Sequence, residues 1–590
     1  MNLSSTDWII IASFFIVWLL IGFLTSKRAG KNPEEFFLSG RNMPWWLLGV
    51  SMVATTFSAD TPNLVTDIVR KNGIAGNWAW WAFLLTGMLT VFVYARLWRR
   101  SGVGTDLEFY ELRYGGKKAA FLRGFRAIYL GVFFNIMIMA SVSLAAIKIG
   151  AVLLGLSPVQ TLLIASVVTV AYSSLGGLRS VLITDFFQFI IAMIGSVAAA
   201  YVIIQKPEVG SLNNLFTHVN VSDKLSLLPD FNDSRALLGL LVIPLAIQWW
   251  SVWYPGAEPG GGGYIAQRML SAKDEKNALT ATLLFNIAHY ALRPWPWIII
   301  ALASLIIFPN LDALQTAFPH IDSSTINDDL AYPAMLSFLP AGLLGVVIAS
   351  LVAAYMSTIS THLNWGSSYV VNDFYKRFIK PDASDKALVN VGRISTVILM
   401  IISALFALTL SNALQAFQIL LQIGAGTGLI FILRWFGWRI NAWTELTGMG
   451  MSFLLAIYLQ IIHPKFFEAL PDEISLVLGI GITTLTWLTV TLLTKPEDEA
   501  ILISFYQKIK PAAWGWKKVL SKHPNVEIEK GQTGLEIVMM LAGCMLVYGA
   551  LFSVGYILYG KTPEALLSSG IALLGLIVIV KNWKAINFIS

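Results

Sequence analysis

Charge is what this 590-residue sequence has least of. Asp, Glu, Lys and Arg together make 13% of it, against 56% apolar residues, where soluble domains carry roughly 25% charge. That scarcity, with a mean hydropathy of +0.68, excludes an assembly of water-soluble globular domains. Cysteine is nearly absent too. Cys544 stands alone in a late apolar run, which excludes an intrachain disulfide and a cysteine-based metal cluster. No P-loop, nucleotide-binding or kinase module follows the last apolar run, so neither an ATP-driven pump nor a sensor kinase is expected. The formal net charge of +7 does not mark a nucleic-acid partner, because the bases are scattered through short loops and form no stripe.

What the sequence does have is apolar runs of about 20 residues, each long enough to cross a hydrocarbon core of about 30 Å. Candidate spans fall at 8–24, 45–70, 78–97, 127–154, 158–177, 181–204, 236–266, 279–308, 332–375, 388–410, 412–433, 440–462, 473–494, 535–558 and 563–580. An all-α integral membrane protein of about 15 spans is expected. With the N-terminus outside, 32 of the 41 Lys and Arg fall on one face, seven on the other, and Lys148 and Arg293 within spans. The positive-inside rule then makes the basic face, and the C-terminus, cytoplasmic. The leading MNLSSTD carries an acid and no base, unlike a secretory signal, and reads as the start of a retained helix. The outer loop 309–331 holds Asp312, Asp322, Asp328 and Asp329 and no Lys or Arg. The insert 495–534, basic with Trp514 and Trp516, reads as a helix lying in the lipid surface.

Two spans cannot be regular helices. The second carries Ser-Ala-Asp-Thr-Pro at its middle and should open between 57 and 62. The seventh carries YPGAEPGGGG over 254–263. Five spans separate them, and an odd offset gives the two breaks opposite orientations. Paired interruptions of this kind point to inverted repeats with a binding site near midplane. Spans two to six (45–204) and seven to eleven (236–433) would be the halves, joined by the outer loop 205–235. Residues 1–44 supply an extra leading helix and inner loop, and 434–590 further C-terminal helices. A broken helix frees carbonyls that something must satisfy. The ninth span offers Ser357, Thr358, Ser360 and Thr361 within two turns, a suitable facing set for a small hard cation.

Three stretches carry a resemblance: YSSLGGLRSVLITDFFQ (172–188), YIAQRMLSAK (264–273) and AAYMSTIS (353–360). They resemble the Tyr-Ser-x-x-Gly-Gly-Leu, Gln-Arg-x-Leu-x-Ala-Lys and sodium-site signatures of the sodium/solute symporter family, over roughly residues 5–460. The resemblance implies the five-plus-five, leucine-transporter-like fold, sodium as the coupling ion, and a small solute, sodium and the bilayer as partners. It implies no obligatory protein partner. Carried over by position, the main sodium site is Ala54, Phe57, Ala354, Ser357 and Thr358. A second sodium, held in some members, falls on Asp185, Ser357, Ser360 and Thr361; Asp185 alternatively pairs with Arg179 or another base. Substrate positions fall on Asp60 and Thr61 after the first break, Asn77 in the third span, Asn135 in the fourth, Glu258 in the seventh, and Gln418 and Gln422 in the eleventh. Each amide has an alternative as an interhelical hydrogen bond. The chain departs from the sugar carriers here: Asp60 and Thr61 stand where those have Glu and Gln, and Asn77 where they have an acid.

Arg293, at the centre of the eighth span in HYALRPWPW, must face a cavity or a partner. It either holds a substrate carboxylate or pairs internally with Asp60 or Glu258. His289, one turn earlier, reads as a packed polar residue. The expected function is sodium-driven import of a small polar solute of the sugar, amino-acid or carboxylate class across the plasma membrane, the inner membrane in a Gram-negative source. No enzyme is expected. Two alternatives stay open: a proton-coupled carrier using Asp60, Glu258 or Asp185, and a transporter-like sensor signalling through 495–534.

Overall fold

In a bilayer every backbone polar group must be satisfied within the protein, which leaves helices as the means of crossing for a chain of long apolar runs. The computed structural model describes residues 3–29, 31–251, 258–410, 420–528 and 532–586. Among them the secondary structure is helical, and extended backbone pairs at one isolated bridge, Met43 with Ala272. Among the described residues eleven helices are long and apolar enough to span a membrane, making this a multi-pass membrane protein. Four shorter apolar helices, Trp45–Thr56, Pro158–Ala171, Ser234–Trp250 and Leu420–Phe436, lie where spans two, five, seven and eleven are expected. Two of these short helices are the first halves of the broken spans.

Burial separates a centre from a periphery that hydropathy alone does not distinguish. The apolar windows of Glu275–Ile307 and Leu343–Ile379 are 83% buried, those of Ser5–Leu24 and Thr562–Ala585 only 28% and 22%. Around the centre, Trp45–Thr56 packs on Glu275–Ile287, Asp60–Asn72 on Pro294–Ile307, and Pro158–Ile204 on Leu343–Ser368. The first helix, Ser5–Ala29, lies against both Pro158–Ile204 and Leu343–Ser368.

The first break is shorter than the sequence suggests. Trp45–Thr56 stops at Phe57 (φ −88°, ψ 74°) and helix resumes at Asp60. Pro62 sits in the first turn of the new helix, where a missing N–H costs no intrahelical bond. At the second break, residues 252–257 lie outside the described residues; helix resumes at Gly263–Ser271 after an irregular run through Gly260 to Gly262. Spans five and six, within Pro158–Ile204, are two helices separated at Gly177, whose φ of 57° suits glycine and whose missing Cβ would lie 2.7 Å from the Phe36 carbonyl oxygen.

Two expectations are corrected. The ninth span does not run 332–375: Ala331–Leu336 is a separate short helix, and Pro340 with Gly342 (φ 84°) turns the chain before Leu343–Ser368 starts. The insert 495–534 is not a helix in the lipid surface. It forms Glu499–Ile509 and short turns folded onto the protein. Trp516 is fully buried, its Nε1 donating to the Trp435 carbonyl (3.1 Å) and its ring stacked on Phe505. Only Trp514 is exposed, and it stacks on Phe436.

Candidate functional site

The C-terminal end of Trp45–Thr56 meets the middle of Leu343–Ser368. The Thr358 hydroxyl donates to the Thr55 carbonyl (2.8 Å), tying the broken end to the facing helix. Beside it the Ser357 Oγ is buried with no hydrogen-bond partner. A buried hydroxyl left unsatisfied is costly and is the kind of oxygen a desolvated sodium ion accepts. Ala54, Phe57 and Ala354 are all buried around this junction. The residues present therefore fit a small hard cation.

The neighbouring set also contains an arginine. Asp185 is fully buried, accepts from the Ser51 hydroxyl through Oδ2, and lies 3.8 Å from the Arg268 guanidinium. Its partner is thus Arg268, from the second break's helix, and not Arg179. Arg268 also donates to Ser51 (3.1 Å), Thr55 (3.3 Å) and Thr361 (2.7 Å). Ser360 donates to the Ser357 carbonyl (3.1 Å), and Thr361 exchanges a hydrogen bond with Thr55 (3.1 Å). Of the side chains assigned to a second sodium, Thr361 is therefore held by a guanidinium, while Asp185 Oδ1 and Ser357 Oγ make no hydrogen bond. The signal was the Gln-Arg pair within YIAQRMLSAK, which sequence reasoning used for recognition and not as a charge inside the membrane.

Next to this junction lies a cavity of about 120 Å³, walled by Asp60 and Thr61 from the first break, by Arg293 and His289, and by Trp80 and Tyr264 among others; Thr358 borders it. Arg293 is fully buried. Its Nε donates to the His289 carbonyl (3.2 Å), its Nη2 lies 3.4 Å from His289 Nε2, and its plane faces the Trp297 ring. Its Nη1 has no hydrogen-bond partner. Among the described contacts no ion pair within 4 Å joins it to Asp60 or Glu258. His289 is more than packing: it lines the cavity and bonds the Thr56 hydroxyl (3.1 Å).

The other substrate positions fall away from this wall. Asn77 accepts from Trp80 Nε1 (2.9 Å) and donates to the Ile74 carbonyl (2.9 Å). Asn135 bonds the carbonyl and ring of His362 (both 2.7 Å), which itself lines the cavity. Gln422 donates to the Ser475 carbonyl (3.2 Å). Asn135 and Gln422 thus bond across to another helix, while the bonds of Asn77 stay within its own span. Gln418 lies outside the described residues. Glu258 borders a smaller adjoining cavity and is bonded to Arg126. Arg126 also faces Glu445 (3.8 Å), which Tyr114 hydrogen-bonds (2.7 Å). Glu258→Gln should consequently lower the stability of the purified protein by about 3–5 kcal/mol, as for a broken buried pair. The check is thermal unfolding, in which Arg126→Met/Glu258→Met recovers most of the loss. An unchanged unfolding temperature in Glu258→Gln would dissolve the pair's structural role.

Four matches to known proteins bear on this geometry. A family model described as Sodium:solute symporter family matches residues 36–451. The sodium/glucose cotransporter of Vibrio parahaemolyticus is 27% identical over 480 residues, covering 78% of this chain and 86% of that one. The sodium/myo-inositol cotransporter 2 of Oryctolagus cuniculus is 26% identical over 562 residues, covering 85% and 78%. Among solved structures, a substrate-bound, outward-open Na+-coupled sialic acid symporter superposes with a TM-score of 0.67 at 21% identity, covering 84% of this chain and 99% of that one.

Proposed function

We propose, from the premise that this chain belongs to the sodium:solute symporter family and has its inverted-repeat, leucine-transporter-like fold, that it imports a small polar organic solute by symport with sodium. No bond of the solute is made or broken, and the family is one of secondary transporters, not of enzymes. The observation that carries the reading is the junction at Thr55 and Thr358, where the end of a broken helix is tied to the facing helix beside the buried Ser357 hydroxyl. Sodium there would be held by the carbonyls of Ala54, Phe57 and Ala354 and the hydroxyls of Ser357 and Thr358. That bond set joins one helix of each repeat, so the ion stabilises one arrangement of the two halves. The solute would occupy the adjoining cavity, between Asp60, Thr61 and Arg293. Its binding closes the site on one side, and release of sodium on the other lets the halves rock.

The solute class is that of a sugar, amino acid or carboxylate. The unpartnered Nη1 of Arg293 favours a member bearing a carboxylate, whereas the similar proteins named above are named for sugars and an inositol. The split of basic residues supports an outside N-terminus and a cytoplasmic C-terminus. The test is a panel of sugars, amino acids and small carboxylates against the purified protein in sodium or in choline. A true solute raises the unfolding temperature by mass action, and does so more strongly in sodium, and it then accumulates in proteoliposomes under an inward sodium gradient. Uptake indifferent to sodium and driven by a pH gradient would overturn the reading.

A further inference from the structure

The first helix stands outside the two repeats, yet its one buried acid touches the helix that carries Ser357 and Thr358. Asp7 is only 1% exposed. Its Oδ1 accepts from the backbone N–H of Gly342 and of Gly345 (2.8 Å each), and its Oδ2 from the N–H (3.0 Å) and hydroxyl (2.6 Å) of Ser4. The first N–H groups of a helix have no partner within it, and a carboxylate at that end also meets the positive pole of the helix. Here the acceptor comes from another helix, more than 330 residues away in sequence. Contact is close at the backbone as well: a Cβ on Gly345 would lie 2.7 Å from the Asp7 Cα.

We infer that Asp7 is a positioning residue for the cation site, acting by fixing the N-terminal end of Leu343–Ser368. This rests on the sodium reading above. The helix runs without a break from Leu343 to Ser368, so Gly345 and Ser357 lie on one rod, about 18 Å apart at 1.5 Å per residue. Gly342 has a φ of 84° and follows Pro340, so the preceding turn supplies no regular helix to hold that end. A small tilt at the anchored end moves the Ser357 and Thr358 hydroxyls against the carbonyls of the first break, and such a site works only within a few tenths of an ångström. The solute cavity touches this helix only at Thr358 and His362, so the solute pocket depends on the anchor less than the cation junction does.

The experiment uses the full chain, purified, with sodium-induced thermal stabilisation as the readout, so that no solute is needed. Asp7→Ala should raise the half-saturating sodium concentration by about 3- to 10-fold, the range expected for a lost helix cap. Asp7→Asn keeps an acceptor at Oδ1 and should shift it less. Gly345→Ala, which pushes the same contact apart from the other side, should act like Asp7→Ala. A purely structural role would instead lower the sodium-free unfolding temperature and leave half-saturation where it was, and that result overturns the proposal. So does failure of all three variants to fold, since the contact is then a folding requirement. Ser357→Ala is run alongside. If it too leaves half-saturation unchanged, the sodium site itself is misplaced; if it alone shifts, only the anchor falls.

Discussion

Arg293→Gln is expected to raise the solute KM by about 30- to 1000-fold, corresponding to roughly 2–4 kcal/mol for truncating one side of a desolvated charged contact. The magnitude follows from where the guanidinium stands. It is fully buried beside the cavity, held in orientation by the His289 carbonyl and by Trp297, with Nη1 left for a ligand. Arg293→Lys keeps the charge and loses the planar fork, so its KM should fall between the two. Uptake kinetics at saturating sodium check this. If Arg293→Gln does not fold and Asp60→Asn restores it, the residue serves an internal pair across the cavity. If uptake is unchanged, Arg293 does not meet the solute.

Ser357→Ala and Thr358→Ala should each raise the half-saturating sodium concentration by about 10- to 100-fold, the equivalent of roughly 1–3 kcal/mol for one lost polar partner. Carbonyl ligands cannot be deleted by mutation, which makes these hydroxyls the accessible handles. They differ in what else they do. Ser357 Oγ makes no bond to the broken helix and stands against the Asp185 carboxylate, so its loss should act mainly on the ion. Thr358 also fastens the Thr55 carbonyl, so its loss should destabilise the sodium-free protein as well. Ser360→Ala should do little, because that hydroxyl is spent on the Ser357 carbonyl. Sodium titrations of stability separate these patterns, and parental half-saturation in both Ser357→Ala and Thr358→Ala would remove the site.

What was legible in the sequence was whatever the bilayer and the backbone impose. Long apolar runs, the Pro and Gly interruptions and the buried Arg293 are each a solvation problem that must be solved locally, so they show in the order of residues. The ends of the interruptions were less legible. Pro62 reads as a breaker, yet at the start of a resumed helix it is harmless, and Gly342 marks a turn that hydropathy runs straight through. Partner choice was not legible at all. Nothing near Asp185 in the chain points to Arg268, or near Glu258 to Arg126, because those pairs are made by helices meeting in three dimensions. The polar amides were ambiguous for a related reason: Asn135 and Gln422 offer the same groups to a neighbouring carbonyl as to a solute, and each bonds a carbonyl here.

The pairing of acids with arginines has an electrical consequence. Asp185 stands against Arg268, Glu258 against Arg126, and Asp60 shares its cavity with Arg293, so the formal charges of these three sets cancel before any ion arrives. A sodium ion entering such a core brings a charge that these three sets do not cancel, and moving it across the membrane couples the cycle to voltage at about 2.3 kcal/mol per 100 mV. A monocarboxylate travelling with one sodium would silence that coupling, and a neutral sugar would leave it whole. The current carried per solute thus reads out the charge of the cargo.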